Sequence, residues 1–413
     1  MPVQRREFLS SWLAVSAASA APTRNDASSW RSDFPIAKDR VYFNSASEHP
    51  VSIHSARAMK EYIDYLTTDL TRAEWSEPTK QVAEFRDARL REIRPMFAKL
   101  IQAKPSEIAF VKSTQHGENI VVNGMDLEAS GGNVVTNDLH YESCLHNYRI
   151  RQQAGLDVRI VKNRDWRIDI HDLEKVVDRR TKLIATTLVS NVNGLLQDVK
   201  AMSDLAHAHG AYLFADIIQA AGAVPIDVKA MGIDFASCST YKWLMGLRGF
   251  AYLYVREDLQ DRVVKPKEFA GGIKFNYAPW TSTPVPGAPD FGAAARKGAA
   301  QYEIGNVSNV ASYCQYESLR YLERLGIENI RAHVRPLTER LRKELPSLGY
   351  RCITPEMNES PIVTFLVKDP KVVAERLRKA KIELTLRFGN QMRIAVSVFN
   401  NAADVERLLQ ALA

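Results

Sequence analysis

A chain of 413 residues that is 46% hydrophobic and 25% charged has an ordinary globular composition, long enough for two domains and a large core, which excludes collagen-like and intrinsically disordered chemistry. The formal charge is +7, from 55 basic and 48 acidic side chains. This excess does not point to nucleic acid, because the densest basic stretch, 320–346, interleaves Glu323, Glu328, Glu339 and Glu344 with its arginines at helical spacing.

The chain opens MPVQRREFLSSWLAVSAASAAP, with Arg5 and Arg6 paired, Phe8 and Leu9 behind them, and small residues Ala18 and Ala20 after a short apolar stretch. The pattern is similar to a twin-arginine export signal with an A-x-A cleavage site. Residues 1–30 are therefore expected to be a signal and disordered N-terminus, and the mature protein periplasmic or secreted. A transit peptide, or a plain terminus on a cytoplasmic protein, is the alternative. No later segment is long and apolar enough to span a membrane.

After the short strand VYFNSAS at 41–47, apolar periodicity predicts helices over Ser55–Leu70 and Val82–Leu100. A strand at Ile108–Val111 breaks into Ser113, Thr114, Gln115, His116 and Gly117 before a helix resumes at Glu118. Such a polar turn offers free backbone N–H groups and the positive end of a helix dipole, which suits a phosphate; for Thr114 alone a helix N-cap is the other reading. The next strand, Asn133–Thr136, leads to His140, and the strand Leu183–Val189 leads to Asn191. Alternation of strands and helices from about residue 105 to 255 is the pattern of an α/β, doubly wound, mostly parallel sheet with its site at the strands' carboxyl ends.

Two further strand ends carry the sharpest chemistry. The run AYLFADIIQ buries Asp216, and a buried carboxylate is expensive unless a cation meets it; the protonated ring nitrogen of pyridoxal phosphate is such a partner. In DFASCSTYKWLMGLRG, 234–249, Lys242 lies between aromatic and aliphatic neighbours. Desolvation there lowers the pKa of an amine and frees it as the nucleophile of a Schiff base.

A loop over Lys274–Gly298 leads to a second domain with a long helix, a strand at Ile362–Val367, a helix at Val372–Ala380, a strand at Gln391–Ser397 and a closing helix from Ala402. The expected division is a large cofactor-binding domain at 31–290 and a small domain at 291–413. Arg387 and Arg393 lie at strand ends in the second, where a guanidinium fork suits a substrate carboxylate and a surface charge is the alternative. Cys144, Cys238, Cys314 and Cys352 have no metal-ligand spacing and read as small buried hydrophobes, so no metal is expected.

The strand with Asp216 and Gln219, the next strand with Ser239, Tyr241 and Lys242, and the segments VYFNSASEHP, VSNVNG and RIAVSVFNN resemble the class V aminotransferases. This group of fold-type I pyridoxal-phosphate enzymes includes cysteine desulfurases and isopenicillin N epimerase. The resemblance implies an enzyme acting on a small amino-acid-type substrate, and a homodimer with shared active sites. It implies that Lys242 carries pyridoxal 5′-phosphate, that Asp216 faces its ring nitrogen, and that His140 stacks on the ring. By the same resemblance Asn191 and Gln219 reach the phenolic oxygen, and Thr114, Gln115, Ser239 and Tyr241 seat the phosphate. Asn306, in YEIGNVSN, would reach the phosphate of the neighbouring subunit. Arg393 would hold the substrate carboxylate, with Arg387 second. Cysteine desulfurases carry a nucleophilic cysteine just before that arginine, where this chain reads FGNQM, 388–392. The expectation is therefore transamination or a related tailoring reaction and not a cysteine desulfurase. Epimerisation and C–S or β-lyase chemistry are the alternatives, and a non-catalytic binder of pyridoxal phosphate or amino acids is the alternative of another class.

Overall fold

The computed structural model describes residues 27–68, 89, 91–267, 273–275, 293–295, 297–305, 307–356 and 358–413. The twin-arginine stretch, the expected domain boundary at 290/291 and Asn306 lie outside the described residues. The strands run β1 (Val41–Tyr42), β2 (Ile108–Val111), β3 (Asn133–Asn137), β4 (Asp157–Val161), β5 (Thr181–Thr187), β6 (Tyr212–Asp216), β7 (Phe235–Ser239) and β8 (Ala251–Val255). Of these, seven form one sheet in the order β2-β8-β7-β6-β5-β3-β4. Only β8 runs antiparallel to its two neighbours; the other pairs are parallel.

The sheet is covered on both faces because its central strands are apolar on both. Along β6 to β8, Leu213, Ala215, Ala236, Cys238, Tyr252 and Tyr254 join the core on one face, while Phe214, Phe235, Ala251, Leu253 and Val255 join the core on the other. Strands buried on both sides read as continuous apolar runs, as the parallel centre of an α/β fold requires. Their polar ends therefore stand out, and these ends make the site.

Helix α1 (Ile53–Thr68) packs on helix α2 (Asn309–Leu325), with the Ser55 and Ser318 hydroxyls 2.9 Å apart. The expected second helix is described only over its C-terminal part, 91–100. The long helix expected in the second domain is two, α2 and α3 (Ile327–Glu344), broken at Gly326, whose φ of 75° ends the first. Within the stretch expected to be loop, β9 (Ile273–Phe275) and β10 (Ala293–Ala295) pair antiparallel.

The small domain holds a four-stranded sheet ordered β11-β12-β15-β14, made of β11 (Arg351–Cys352), β12 (Ile362–Leu366), β14 (Thr385–Arg387) and β15 (Gln391–Ala395). Strand β13 (Ile382–Glu383) pairs instead with β1, in parallel, so the chain's first strand belongs to the small domain's side. The two domains meet closely at Gly194. A Cβ there would lie 2.3 Å from the Ile362 carbonyl oxygen, and φ is +75°, so no other residue fits without displacing backbone.

Candidate active site

Asp216 closes β6 and Ser239 closes β7; Thr114 follows β2, His140 follows β3 and Asn191 follows β5. Parallel strands thus bring these side chains, from well-separated parts of the sequence, to one sheet edge together with Lys242. Lys242 is 6% exposed and Asp216 1%. Burial lowers the Lys242 amine to about 8 against the opposing pull of Asp216. Burial likewise raises the Asp216 carboxyl to about 6, against the pull of nearby His140 and the N–H of Ile218, which donates to it at 2.9 Å. The Lys242 Nζ stands 5.7 Å from the centre of the Tyr241 ring and 5.9 Å from that of Tyr141.

At the next strand ends, Thr114 and Ser239 form a reciprocal pair. The Thr114 N–H donates to Ser239 Oγ at 2.8 Å, and the Ser239 N–H donates to Thr114 Oγ1 at 2.9 Å. Both sit at the N-terminus of α4 (Thr114–Gly124), which Ser113 caps by accepting from the His116 N–H. Gln115 is turned toward the neighbouring loop, its amide donating to the Ser143 carbonyl at 3.3 Å. The Gln219 amide is engaged at both ends, donating to the Ala46 carbonyl and accepting from the Trp243 indole N–H at 2.8 Å.

On the small-domain side, Arg393 is 4% exposed, and burial followed by the charge of Arg387 lowers its guanidinium to about 10. One terminal nitrogen donates to the Asn191 carbonyl and the other to the hydroxyls of Ser47 and Thr385, while Nε is buried without a partner. Arg387 also donates to the Asn191 carbonyl, at 3.1 Å, and to Glu142 at 3.0 Å. The Asn191 amide in turn donates to Glu142. The two arginines and Asn191 are thus one cluster, held by Glu142.

The structure adds Glu118, Tyr141, Glu142, Ser47 and Thr385 to the residues read from the sequence, and gives Trp243, read only as the aromatic neighbour of Lys242, a bond to Gln219. Of the added residues only Glu142 left a signal, as the acid at the first helical turn after His140.

The donor set fits pyridoxal phosphate. A sealed amine below its usual range suits the aldehyde, a sealed carboxyl without a bonded cation suits the ring nitrogen, and a helix N-terminus with two hydroxyls suits the phosphate.

The comparisons agree with this geometry. Residues 41–408 match the family described as aminotransferase class-V. A probable cysteine desulfurase of Methanothermobacter thermautotrophicus is 31% identical over 92% of this chain and 96% of its own length. An uncharacterized aminotransferase of Bacillus subtilis, YcbU, is 27% identical over 93% of this chain and 96% of its own. Among solved structures, the apo cysteine desulfurase of Thermococcus onnurineus NA1 superposes with a TM-score of 0.80 at 23% identity, covering 95% of this chain and 98% of that one.

These relatives correct one expectation. The reading that set a cysteine desulfurase aside, and put transamination first, rested on the missing cysteine in Phe388–Met392, yet a relative matched over nearly its full length is named probable cysteine desulfurase. The physical reason is that breaking a carbon–sulfur bond and accepting the sulfur are separate tasks. The missing cysteine bears only on the second; in its place Arg387 pairs with Gln391, leaving a three-residue turn with Phe388 and Gly389 at φ of 50° and 80°.

Proposed function

The chain belongs to the class-V aminotransferase family, and from that premise we propose that it is a pyridoxal-phosphate enzyme that breaks the carbon–sulfur bond of a cysteine-class amino acid. The observation that carries the reading is the match over 92% of the chain to a relative named probable cysteine desulfurase. When bound, the cofactor supplies the electron sink that makes the Cα–H bond acidic and the Cβ–S bond breakable.

The chain's own residues do the rest. Lys242 Nζ, sealed and lowered to about 8, would carry the cofactor and, when free of it, would take the proton from Cα. Asp216 would hold the ring nitrogen protonated. Thr114, Ser239 and Tyr241 would seat the phosphate, with Gln115 turning from the Ser143 carbonyl to join them; His140 would cover one ring face, and Asn191 and Gln219 would flank the phenolic oxygen once their amides leave Glu142 and Ala46. Arg393 receives the substrate carboxylate, its two terminal nitrogens giving up their present contacts with Asn191, Ser47 and Thr385 for a two-pronged pair, with Arg387 beside it. Two copies would share their sites through Asn306. Arg5 and Arg6 would direct export.

The test is direct. Purified enzyme is given L-cysteine or L-cystine with a reducing thiol, and sulfide, alanine and pyruvate are measured. Release of sulfur with a matching three-carbon product is expected. Conversion of other amino acids with no sulfur released from either substrate overturns the reading. Separately, sedimentation should give a dimer, and a reporter fused to residues 1–30 should stay in the bacterial cytoplasm when Arg5 and Arg6 are both changed to lysine.

A further inference from the structure

Behind His140 lies a buried carboxylate that the chemistry above does not use. Glu118, one turn into α4, is 2% exposed. It faces residues spaced by four: His140 on the loop after β3, then Cys144 and Tyr148 on α5 (Glu142–Gln153). Such spacing puts Cys144 and Tyr148 on one face of their helix. Tyr148 donates its hydroxyl to Glu118 Oε1 at 2.7 Å, and the Cys144 thiol also bonds the carboxylate. His140 Nε2 stands 3.5 Å from the same Oε1, and neither His140 Nε2 nor Glu118 Oε2 has a hydrogen-bond partner.

The other ring nitrogen decides the protonation state. The Tyr141 backbone N–H points at His140 Nδ1 at 2.8 Å, so Nδ1 must offer a lone pair. A neutral imidazole then carries its proton on Nε2, aimed at Glu118. Glu118 pulls the other way as well. Burial would lower the His140 pKa, but the charge of the Glu118 carboxylate outweighs burial and raises it, which favours a second proton. That proton could go only to Nδ1, head-on to the Tyr141 N–H, so the geometry favours the neutral ring. His140, Glu118 and Cys144 have ligand-type atoms within 4.8 Å of one another, yet the thiol and the phenol already spend their protons on the carboxylate, which describes a hydrogen-bond network rather than a metal centre.

We propose that Glu118 is a positioning residue of this site: the Tyr141 N–H sets His140 as the Nε2–H tautomer, and Glu118, facing that Nε2–H, holds the plane of the ring, so that the ring offers the cofactor a neutral face. The inference rests on reading His140 as a wall of the cofactor site. Its test does not need turnover. In nitrogen-15-labelled protein, with and without cofactor, the His140 resonances are identified by their loss in His140→Gln. Nδ1 is expected in the unprotonated range and Nε2 in the protonated range. In Glu118→Gln a neutral amide replaces the charged group that faces Nε2–H, so the Nε2 resonance should move while Nδ1 stays in the unprotonated range. Its kcat should fall about ten- to a hundred-fold with KM within about two-fold, the size of effect seen when a group that orients an imidazole is removed. Tyr148→Phe keeps the carboxylate and frees it to swing, and should shift the Nε2 resonance with a smaller loss of kcat. If Glu118→Gln does not fold, by thermal melting, the Tyr148→Phe resonance decides. Unaltered His140 resonances and wild-type kcat in the folded variants overturn the proposal, as does a protonated Nδ1 in the wild type. If the tautomer is as stated and no cysteine sulfur is released, only the reaction reading falls.

Discussion

Where the large domain meets the site, Thr114, His140, Asp216, Ser239 and Lys242 are all buried at or just past strand ends; where the small domain meets it, Arg393 is buried on β15 but Phe388 stands 57% exposed on a three-residue turn. The first side is built by the sheet that also makes the core, so its geometry is as stiff as the core. The second hangs on a hairpin and on contacts across the domain junction, through Asn191, Ser47 and Glu142. Chemistry belongs on the stiff side, and choice of substrate on the other. Substitutions on the two sides should therefore separate, turnover failing on one and affinity on the other.

The largest effect should come from Lys242→Ala. Loss of the group that moves the Cα proton should cut turnover by about 10⁴-fold, and the visible absorption of the bound cofactor should change with it. Turnover within ten-fold of wild type would mean that the sheet side does not hold the chemistry.

Asp216→Asn should come next, with turnover down by about a hundred-fold or more while cofactor is still retained through the Thr114 and Ser239 end. The same carboxyl makes a stability prediction for the cofactor-free protein. Its pKa is near 6 in the fold against an ordinary 3.8. The unfolded chain gives up this proton first as pH rises, so the contribution is whole below about pH 4 and is lost as pH passes 6. Urea unfolding should find cofactor-free wild type weakening across that window, on the order of a few kcal/mol, relative to Asp216→Asn. Parallel curves for the two proteins would place Asp216 outside the sealed site.

The same contrast governs what the sequence made legible. Asp216, Lys242, Thr114 and Ser239 could be found because a polar residue ending an apolar strand is conspicuous in one dimension. Glu118 could not, since its partners come from another helix and a loop, and a glutamate in a helix's second turn looks like surface charge. The Arg387–Phe388 turn was misjudged for a related reason: FGNQM was read for the residue it lacks, while its backbone, two positive φ values in succession, is fixed by pairing between β14 and β15. The break between α2 and α3 at Gly326 was missed because arginine–glutamate spacing continues through it.

On the small-domain side, Arg393→Lys keeps the charge and removes the fork. A charge-assisted pair of this kind is worth about 1.5–3 kcal/mol, so KM for the amino acid should rise about ten- to a hundred-fold with the cofactor's absorption unchanged. A loss confined to kcat would move Arg393 to the chemical side and erase the contrast.

Phe388 should give the smallest effect and the finest test. An aromatic residue at φ 50° costs roughly 1 kcal/mol relative to asparagine, which tolerates that conformation, and an exposed ring gains little from burial to offset it. What the ring does contact is Arg387, whose guanidinium carbon lies 4.0 Å from its centre. Stacking at an exposed site is worth about 0.5–1 kcal/mol, comparable to the strain, so Phe388→Asn should leave the melting temperature unchanged or slightly raised. Arg387 would then lose the surface that steadies it beside Arg393, and KM should rise about two- to five-fold at constant kcat, the change that roughly 0.5–1 kcal/mol of positioning produces. A strained residue of no benefit to the fold is then explained by the substrate it helps hold. A melting temperature lowered by several degrees with KM untouched would reverse this, making the ring a structural plug and leaving Arg393 to select the substrate without help from the turn.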